Sequence, residues 1–497
     1  MPSDSERTLT AVRWSYVGVF ARAASQLIAN IILARLLGPA EFGLFALTLL
    51  MVAPARLISE LGLGSALIQK ESLSKEDVHV AFTWLMGAGM VTAFVFFLVA
   101  DYAAHFFYSP QVAEFIRYTS IIFLLYPVTT IASSQLQRNL DLKAMQIVNV
   151  VAYAIGFLGV GVVSGLMGLG GLSLILAFVS QAMVECILFF VLARPHLRLH
   201  FKKVDGRTAR FARRVIPANL TNWILDCADN FIIGKLFGAH SLGMYAVVFN
   251  FVRTPTGHLA TTLQNVLFST SSRIQLDDAR LGRTYIVALS AVSLIAFPIF
   301  FGVAAVAETC VVAIYGIEWK NASPLLIPLA IAMPLHCITA VTGPVLWGKG
   351  RVGQDLRISL AMGLVLVLVL LTLSAISLTA VVWGVFAVYL IRAMWMTATI
   401  SHLCAIRRSR ILKAVIPAMV LGLVVGVTLF VVNRQLIEYY PAAWIRLTYA
   451  ILLGALLTLI WLIIVGQRGL PDELNHLIKR LVEHRPLLAK CWARCGN

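Results

Sequence analysis

Apolar runs of about 20 residues recur along the whole chain and are separated by short polar segments. A helix of that length crosses a hydrocarbon core of about 30 Å, so each run predicts a membrane-spanning helix. About fourteen such runs can be placed between residues 11 and 466. The pattern therefore predicts an all-α polytopic membrane protein whose two chain ends lie on the same side of the membrane.

Part of this pattern repeats at an offset of 200 residues. Segment 34–46 reappears as 234–246, and each copy joins two predicted spans. Six spans separate the start of one copy from the start of the next, so both copies enter the membrane in the same direction. Such a parallel repeat predicts two six-helix lobes related by a pseudo-two-fold axis along the membrane normal, with a substrate site between them near mid-membrane. The spans beside the two segments are predicted at 11–34, 42–66, 211–236 and 242–268.

This repeat sets the predicted organisation of the chain. We expect an N-terminal six-helix lobe, a basic cytoplasmic linker, a C-terminal six-helix lobe, two additional transmembrane helices and a cytoplasmic tail. The tail has the alternation of apolar and basic residues that is typical of a helix lying on a membrane surface. The predicted bounds of these parts are 1–193, 194–210, 211–402, 403–466 and 467–497.

Composition and charge agree with a membrane protein. Hydrophobic residues make up 60% of the 497 and charged residues 13%, whereas a soluble domain has about 25% charged residues. Of the 40 lysines and arginines behind the net charge of +17, 29 fall on one set of alternate loops and five on the other. By the positive-inside rule both termini are cytoplasmic. The basic charge thus reports membrane orientation and gives no reason to expect nucleic-acid binding.

No enzyme is predicted. The segment Gly343–Lys349 has the spacing of a phosphate-binding loop, but Gly350 stands where a Ser or Thr must bind magnesium, and the segment follows a membrane helix. The seven cysteines have neither disulfide nor zinc spacing. We therefore expect no catalytic residues, no metal site and no cofactor, and expect transport to be driven by an H+ or Na+ gradient or by another protein.

Polar and charged residues inside the predicted spans are the candidate chemistry, because an unpaired polar group in hydrocarbon costs several kcal/mol. Arginine suits a phosphate-bearing substrate, since its guanidinium forms a planar fork of donors and stays charged when desolvated. Asparagine and glutamine suit a sugar chain. The predicted substrate-cavity residues are Arg22, Gln26, Asn30, Arg56, Asn222, Asn230, Arg253 and Arg392.

Acidic residues in the spans are candidates for binding the coupling ion. They are Glu60, Asp226, Asp229 and Glu185. A structural role is the alternative for these charges: Arg56 and Glu60 are four residues apart and could pair along one helix, and Arg22 could pair with Asp226 or Asp229. The sequence leaves both readings open.

Four segments resemble a known family. They are Ala34–Leu44, Leu61–Gln69, Leu136–Leu140 and Asp229–Gly238. They are similar to the polysaccharide transporter branch of the multidrug, oligosaccharidyl-lipid and polysaccharide flippase superfamily, and the resemblance covers residues 10 to about 465. It implies two six-helix lobes around a central cavity plus two C-terminal helices. It also implies a flippase that turns a polyprenyl-diphosphate-linked oligosaccharide to the outer face of a bacterial inner membrane, for exopolysaccharide or lipopolysaccharide O-chain biosynthesis.

The same resemblance implies membrane lipid, a polysaccharide polymerase and a chain-length regulator as partners. Three alternatives compete with this prediction. A drug or cation exporter of the same fold should have an acid-rich cavity, whereas the strongest intramembrane charges here are basic. A membrane polymerase or ligase should have a long outer loop, and none is predicted. A flippase for the peptidoglycan lipid precursor shares the diphosphate chemistry, and no residue in this sequence separates it from the main prediction.

Overall fold

The computed structural model describes residues 4–70, 73–202 and 205–464. Within these ranges the chain is helical almost throughout and contains no strand. At some positions in these ranges the structure describes the backbone but not the side chain. They are 4–17, 19–20, 207–209, 211–215, 218, 222, 258–262, 265 and 463. The predicted tail at 467–497 also lies outside the described residues.

The chain divides into two compact units, Met1–Ala246 and Val247–Asn497. The helices that begin in the first unit are α1 (Asp4–Ser59), α2 (Leu63–Gln69), α3 (Lys75–Phe106), α4 (Gln111–Thr119), α5 (Ile122–Arg138), α6 (Leu142–Tyr153), a π-helical segment (Ala154–Gly161), α7 (Val162–Leu166), α8 (Leu172–Ala193) and α9 (Gly206–Arg273). Those of the second unit are α10 (Asp278–Ala305), α11 (Ala307–Tyr315), a 3-10 segment (Ile317–Ala322), α12 (Ser323–Gly348), α13 (Val352–Leu373), α14 (Leu378–Leu403), α15 (Arg408–Tyr439) and α16 (Ala443–Ile464).

Within the described ranges, twelve helices are long and apolar enough to cross a membrane. Two of them, α1 and α9, are much longer than one span, and each is broken at a single glycine, Gly38 or Gly238. Their φ values of 71° and 79°, with extended ψ, belong to a region open essentially only to glycine. We predicted separate spans on either side of these positions. The structure agrees, since each long element consists of two helices that meet at the glycine. Pro39, directly after the first break, suits the first position of the helix that follows.

The two glycine breaks begin segments that pack against each other. A Cβ atom added at Gly43 would meet the backbone oxygen of Ala239, and one added at Gly243 would meet the backbone oxygen of Pro39. Since 43 corresponds to 243 and 39 to 239, the contact is reciprocal, as expected for a self-complementary two-fold contact. We call residues 38–43 and 238–243 the paired corners. Their packing agrees with the parallel repeat predicted from the sequence.

The paired corners also explain where the first compact unit ends. Because 238–243 packs on 38–43, the first unit includes α9 up to Ala246 and so contains parts of both repeats. The predicted lobes, by contrast, are joined at 194–210. The described start of that linker, 194–202, lacks helix and strand. The lobe boundaries follow the order of the spans and stay a prediction.

Each unit has its own apolar core. In the first, α3 packs on α4 and α5, α5 on α8, and α1 on α6; Phe82, Leu85 and Ile131 lie in one buried cluster with residues of α2. In the second, α10 packs along α12 and α15, and α12 along α14. There Trp319 is fully buried and contacts Tyr315, with ring centroids 5.8 Å apart. Each unit is thus a helical bundle that can hold polar groups away from lipid.

The paired corners yield a first prediction. Gly43→Ala places a methyl group against the Ala239 backbone, which cannot move aside as a flexible side chain would. We expect a loss of about 1 to 3 kcal/mol of stability, the usual cost of overpacking, measured as a lower melting temperature of the purified protein. Gly87→Ala is the control, because a Cβ there meets nothing within 4 Å. An unchanged melting temperature for Gly43→Ala would contradict the close contact.

Candidate functional site

The first unit holds a mixed cluster of charges, which we call the first arginine cluster: Arg56, Glu60, Tyr126, Gln181 and Glu185. Arg56 Nε donates to Glu60 Oε1 over 2.7 Å, and its guanidinium lies 4.4 Å from the centroid of the Tyr126 ring. Gln181 Nε2 donates to Glu185 Oε1 over 2.7 Å, and Arg56 also interacts electrostatically with Glu185. The predicted pairing of Arg56 with Glu60 along one helix is confirmed.

Asp229, a predicted ion-binding acid, is buried within α9. The hydroxyl of Tyr245 donates to its Oδ2 over 2.6 Å, and the backbone and side-chain nitrogens of Asn230 donate to its Oδ1 over 2.7 and 3.0 Å. Tyr245 is itself fully buried. Because Asp229 and Tyr245 lie on opposite sides of the break at Gly238, their hydrogen bond ties the two parts of α9 together.

Three predicted cavity residues follow one another along α1. Arg22 and Gln26 are half-buried and Asn30 is exposed. The Arg22 Nε atom is buried and has no hydrogen-bond partner within the described part of the chain, although Arg22 interacts electrostatically with Tyr153. A buried donor without a partner is costly in hydrocarbon, and the cavity role of Arg22 stays a prediction.

Two further predicted residues lie near the start of α9. The side chain of Asn222 is outside the described residues. The side chain of Asp226 is exposed. Their roles stay predictions.

The second unit holds a different group of residues, the second arginine cluster: Arg253, His336, Ser359, Tyr389 and Arg392. Both arginines interact electrostatically with His336, whose ring packs edge to face on Tyr389 at a centroid distance of 5.6 Å. Arg392 Nη2 donates to Ser359 Oγ over 3.2 Å, and Arg253 lies over the Phe249 ring at 5.3 Å. This cluster brings two predicted cavity arginines from α9 and α14 to one histidine.

Two atoms of the second arginine cluster make no hydrogen bond with any described residue. They are Arg392 Nε and His336 Nδ1, and both are buried. Two guanidinium groups near one ring repel each other, and an anion that accepted their donors would offset that cost. The described residues contain no group of three or more His, Cys, Asp or Glu that could hold a metal ion. The arrangement is therefore suited to binding an anion through arginine donors.

An apolar groove lies elsewhere in the second unit. It is a cavity of about 650 Å³ between α10, α11, α15 and α16, and its lining contains no charged side chain. Gly302 and Gly454 contribute to its wall, where the absence of a side chain leaves space. Apolar residues that line it include Leu294, Pro298, Val425, Leu429, Ile451 and Leu459. Such a groove can accept a hydrocarbon chain but offers nothing to a sugar.

Sequence reasoning missed several of these neighbours. Tyr126, Tyr245 and Tyr389 were not selected, because an aromatic residue inside a span usually packs against its neighbours. The Gln181 and Glu185 pair did carry a signal, since the two residues are one helical turn apart. Ser359 and Arg392 are 33 residues apart on different helices, and no local pattern connects them.

Comparison with known proteins decides the family. A family model described as "Polysaccharide biosynthesis protein" matches residues 32–324, more than half of the chain. The chain belongs to this polysaccharide biosynthesis protein family. The resemblance that the four segments carry is therefore confirmed, and the family and its relatives are transporters rather than enzymes.

Individual relatives agree with this family. The chain is 25% identical to the lipopolysaccharide biosynthesis protein WzxC of Escherichia coli (strain K12) over 350 residues, 70% of this chain and 71% of that protein. It is 21% identical to the teichuronic acid biosynthesis protein TuaB of Bacillus subtilis (strain 168) over 491 residues, 97% and 99% of the two chains. The second alignment extends the likeness to almost the whole length of this family member.

The fold has a solved counterpart. The structure of the lipid II flippase MurJ in an inward closed conformation superposes with a TM-score of 0.71, covering 90% of this chain and 97% of that one at 12% identity. An identity this low is evidence for the fold alone. This family member is therefore a multi-pass membrane protein with a flippase-type helical fold.

The buried carboxylate of Asp229 generates a second prediction. Tyr245→Phe removes one donor from it, and a hydrogen bond to a charged group is worth about 1.5 to 3 kcal/mol. We expect a lower melting temperature for the purified protein. Tyr102→Phe is the matched control, because Tyr102 is 78% exposed. Equal melting temperatures for the two variants would show that the bond does not tie α9 across its break.

Proposed function

We propose that this chain is a flippase that moves a polyprenyl-diphosphate-linked oligosaccharide repeat unit across a bacterial inner membrane, for exopolysaccharide or lipopolysaccharide O-chain biosynthesis. Membership of the polysaccharide biosynthesis family supports the class of substrate. The names of WzxC and TuaB connect those relatives with surface polysaccharides. What remains is to explain how this chain would hold such a substrate.

The second arginine cluster is the observation that carries the proposal. A diphosphate carries several acceptor oxygens on one group, and two guanidinium forks can bind them in parallel. Arg253 and Arg392 approach the same histidine from different helices, so one diphosphate could bridge them. A cationic drug would meet repulsion from both arginines, which argues against the exporter alternative.

The apolar groove supports the lipid part of the substrate. Polyprenyl chains are long and purely hydrocarbon, and a groove without charged residues lets such a chain stay in an apolar environment while the diphosphate is bound elsewhere. Because the chain comes from bilayer hydrocarbon that is equally apolar, the groove offers it packing contacts without a hydrophobic driving force. Because the groove and the second arginine cluster both belong to the second unit, we propose that this unit binds the lipid diphosphate.

We further propose that H+ or Na+ coupling uses Glu60 and Glu185. These two carboxylates share the surroundings of Arg56, so a change in the charge of either one would alter its pairing with the arginine. Asp229 is less suited because Tyr245 and Asn230 already hold its oxygens. Both termini are proposed to be cytoplasmic, and a polysaccharide polymerase and a chain-length regulator are the proposed protein partners.

The third prediction tests the substrate. A strain lacking this chain should accumulate one polyprenyl-diphosphate-linked repeat unit and lose its surface polymer, because synthesis on the inner face continues while transfer stops. Mass spectrometry of polyprenyl-linked glycans from deletion and parent membranes measures this. Accumulation of the peptidoglycan lipid precursor would favour that alternative instead. Unchanged glycans together with altered retention of cationic dyes would overturn the proposal in favour of an exporter.

The fourth prediction tests the second arginine cluster in that deletion strain. Arg253→Gln and Arg392→Gln should restore less than a tenth of the surface polymer, since each removes a charged donor from the proposed diphosphate site. Arg434→Gln is a matched control, because Arg434 lies over Phe430 at 5.4 Å much as Arg253 lies over Phe249 at 5.3 Å. Immunoblots of membranes establish equal insertion. Normal polymer with both cluster variants would remove these arginines from the substrate site.

A further inference from the structure

A basic strap follows α8 in the first unit. Residues 194–202, which we call the strap, form no helix, and every second position carries a basic side chain. These positions are Arg194, His196, Arg198, His200 and Lys202. The positions between them are Pro195, Leu197, Leu199 and Phe201. Of the apolar positions, Pro195 is buried and Leu197 is partly buried, whereas Leu199 and Phe201 are exposed.

The strap is fixed to the helices beneath it. Pro195 is buried, and Leu197 packs against the buried cluster formed by α2, α3 and α5. The backbone nitrogen of His200 donates to Thr83 Oγ1 over 2.7 Å, and Trp84 Nε1 donates to the carbonyl of Lys202 over 3.0 Å. The backbone of the strap is therefore held in place before any ligand arrives, which lowers the entropy cost of binding.

Charge on the strap is only partly compensated. Lys202 Nζ lies 2.7 Å from Glu76 Oε1, and His200 Nε2 lies 3.4 Å from the same oxygen. The hydrogen bond to Glu76 raises the pKa of Lys202, so this lysine stays charged. Arg194 and Arg198 are exposed and form no ion pair with any residue that the structure describes. The first part of the strap thus carries unpaired positive charge.

A groove of about 430 Å³ opens at that uncompensated end. Phe190 and Val191 from the last turn of α8 form its apolar wall, and Arg194, Pro195 and His196 form the remainder. Phe190 and Val191 are 46% and 54% exposed, as expected for side chains that face lipid. The groove therefore lies where the apolar surface of a membrane helix gives way to cationic groups.

The end of the strap at 199–202 has the residue types that are typical of a membrane interface. Leu199 and Phe201 are 60% and 89% exposed although both are apolar. Trp84, which holds the strap, is 48% exposed, and tryptophan is enriched at the level of the lipid headgroups. Exposed apolar side chains beside basic ones suit a segment lying among headgroups, with its apolar residues directed toward the acyl chains.

We infer that the strap is a binding site for the phosphate headgroup of an anionic phospholipid, with Arg194 and Arg198 as its phosphate donors and the groove beside Phe190 receiving the start of an acyl chain. The occupant follows from charge complementarity, because an unpaired arginine pair attracts a phosphate and the apolar wall requires an attached chain. This inference does not depend on the transported substrate. Lipid bound there would hold the predicted linker against the membrane surface.

The test uses the purified full-length protein in neutral detergent, with native mass spectrometry to follow binding of phosphatidylglycerol or phosphatidylcholine. Wild-type protein should bind phosphatidylglycerol preferentially. The double variant Arg194→Gln/Arg198→Gln should bind it about tenfold more weakly or worse, since each basic residue at an anionic surface contributes at least about threefold. The matched control Arg407→Gln/Arg410→Gln removes two exposed arginines from another loop on the same predicted side and should change affinity less than twofold.

Three outcomes would overturn the inference. If both double variants bound phosphatidylglycerol equally weakly, binding would depend on general surface charge rather than on a site. If the strap variant bound it as the wild type does, the strap would have no part in lipid binding. If farnesyl diphosphate displaced phosphatidylglycerol from the wild-type protein but not from the strap variant, the occupant of the strap would be a lipid diphosphate. If the double variant fails to fold, the single variants Arg194→Gln and Arg198→Gln are measured instead, each with an expected loss of about threefold.

Discussion

A backbone that crosses hydrocarbon must satisfy its own hydrogen bonds, and every interruption of a membrane helix has to be covered by protein. This chain interrupts two helices, at Gly38 and Gly238, and just after the breaks the two segments pack on each other. The close approach of the paired corners requires glycine at 43 and 243, since a side chain at either would meet backbone. Within the first unit, the start of the second repeat is thus held against the start of the first by backbone contact.

Charge is distributed differently in the two units. In the first, Arg56 has carboxylates and an aromatic face around it, so its charge is largely balanced by the protein. In the second, Arg253 and Arg392 converge on one histidine. Guanidinium groups that act on one site from two helices offer several donors to an anionic ligand. A balanced cluster suits switching between pairings, and an arginine-rich one suits binding an anion.

Patterns that depend on local spacing were visible in the sequence, and those that depend on tertiary contact were not. The offset of 200 predicted the parallel repeat, and a separation of four predicted the Arg56 pair. The corresponding tie between Asp229 and Tyr245 has no equivalent in the first repeat, where alanine and phenylalanine occupy positions 29 and 45, so repetition gave no hint of it. The alternation of basic residues along the strap is visible in the sequence. A count of basic residues per loop, however, indicates only the membrane orientation and carries no information about their spacing.

The paired corners also bear on how the protein is made. Their two halves are 200 residues apart, and synthesis proceeds at about 5–20 residues per second, so the first corner is complete roughly 10 to 40 s before the second exists. During that interval the break at Gly38 has no partner from its own chain. Until then the first corner lacks the backbone contact that Ala239 provides. The contact between the paired corners therefore forms only after the second repeat has been synthesised.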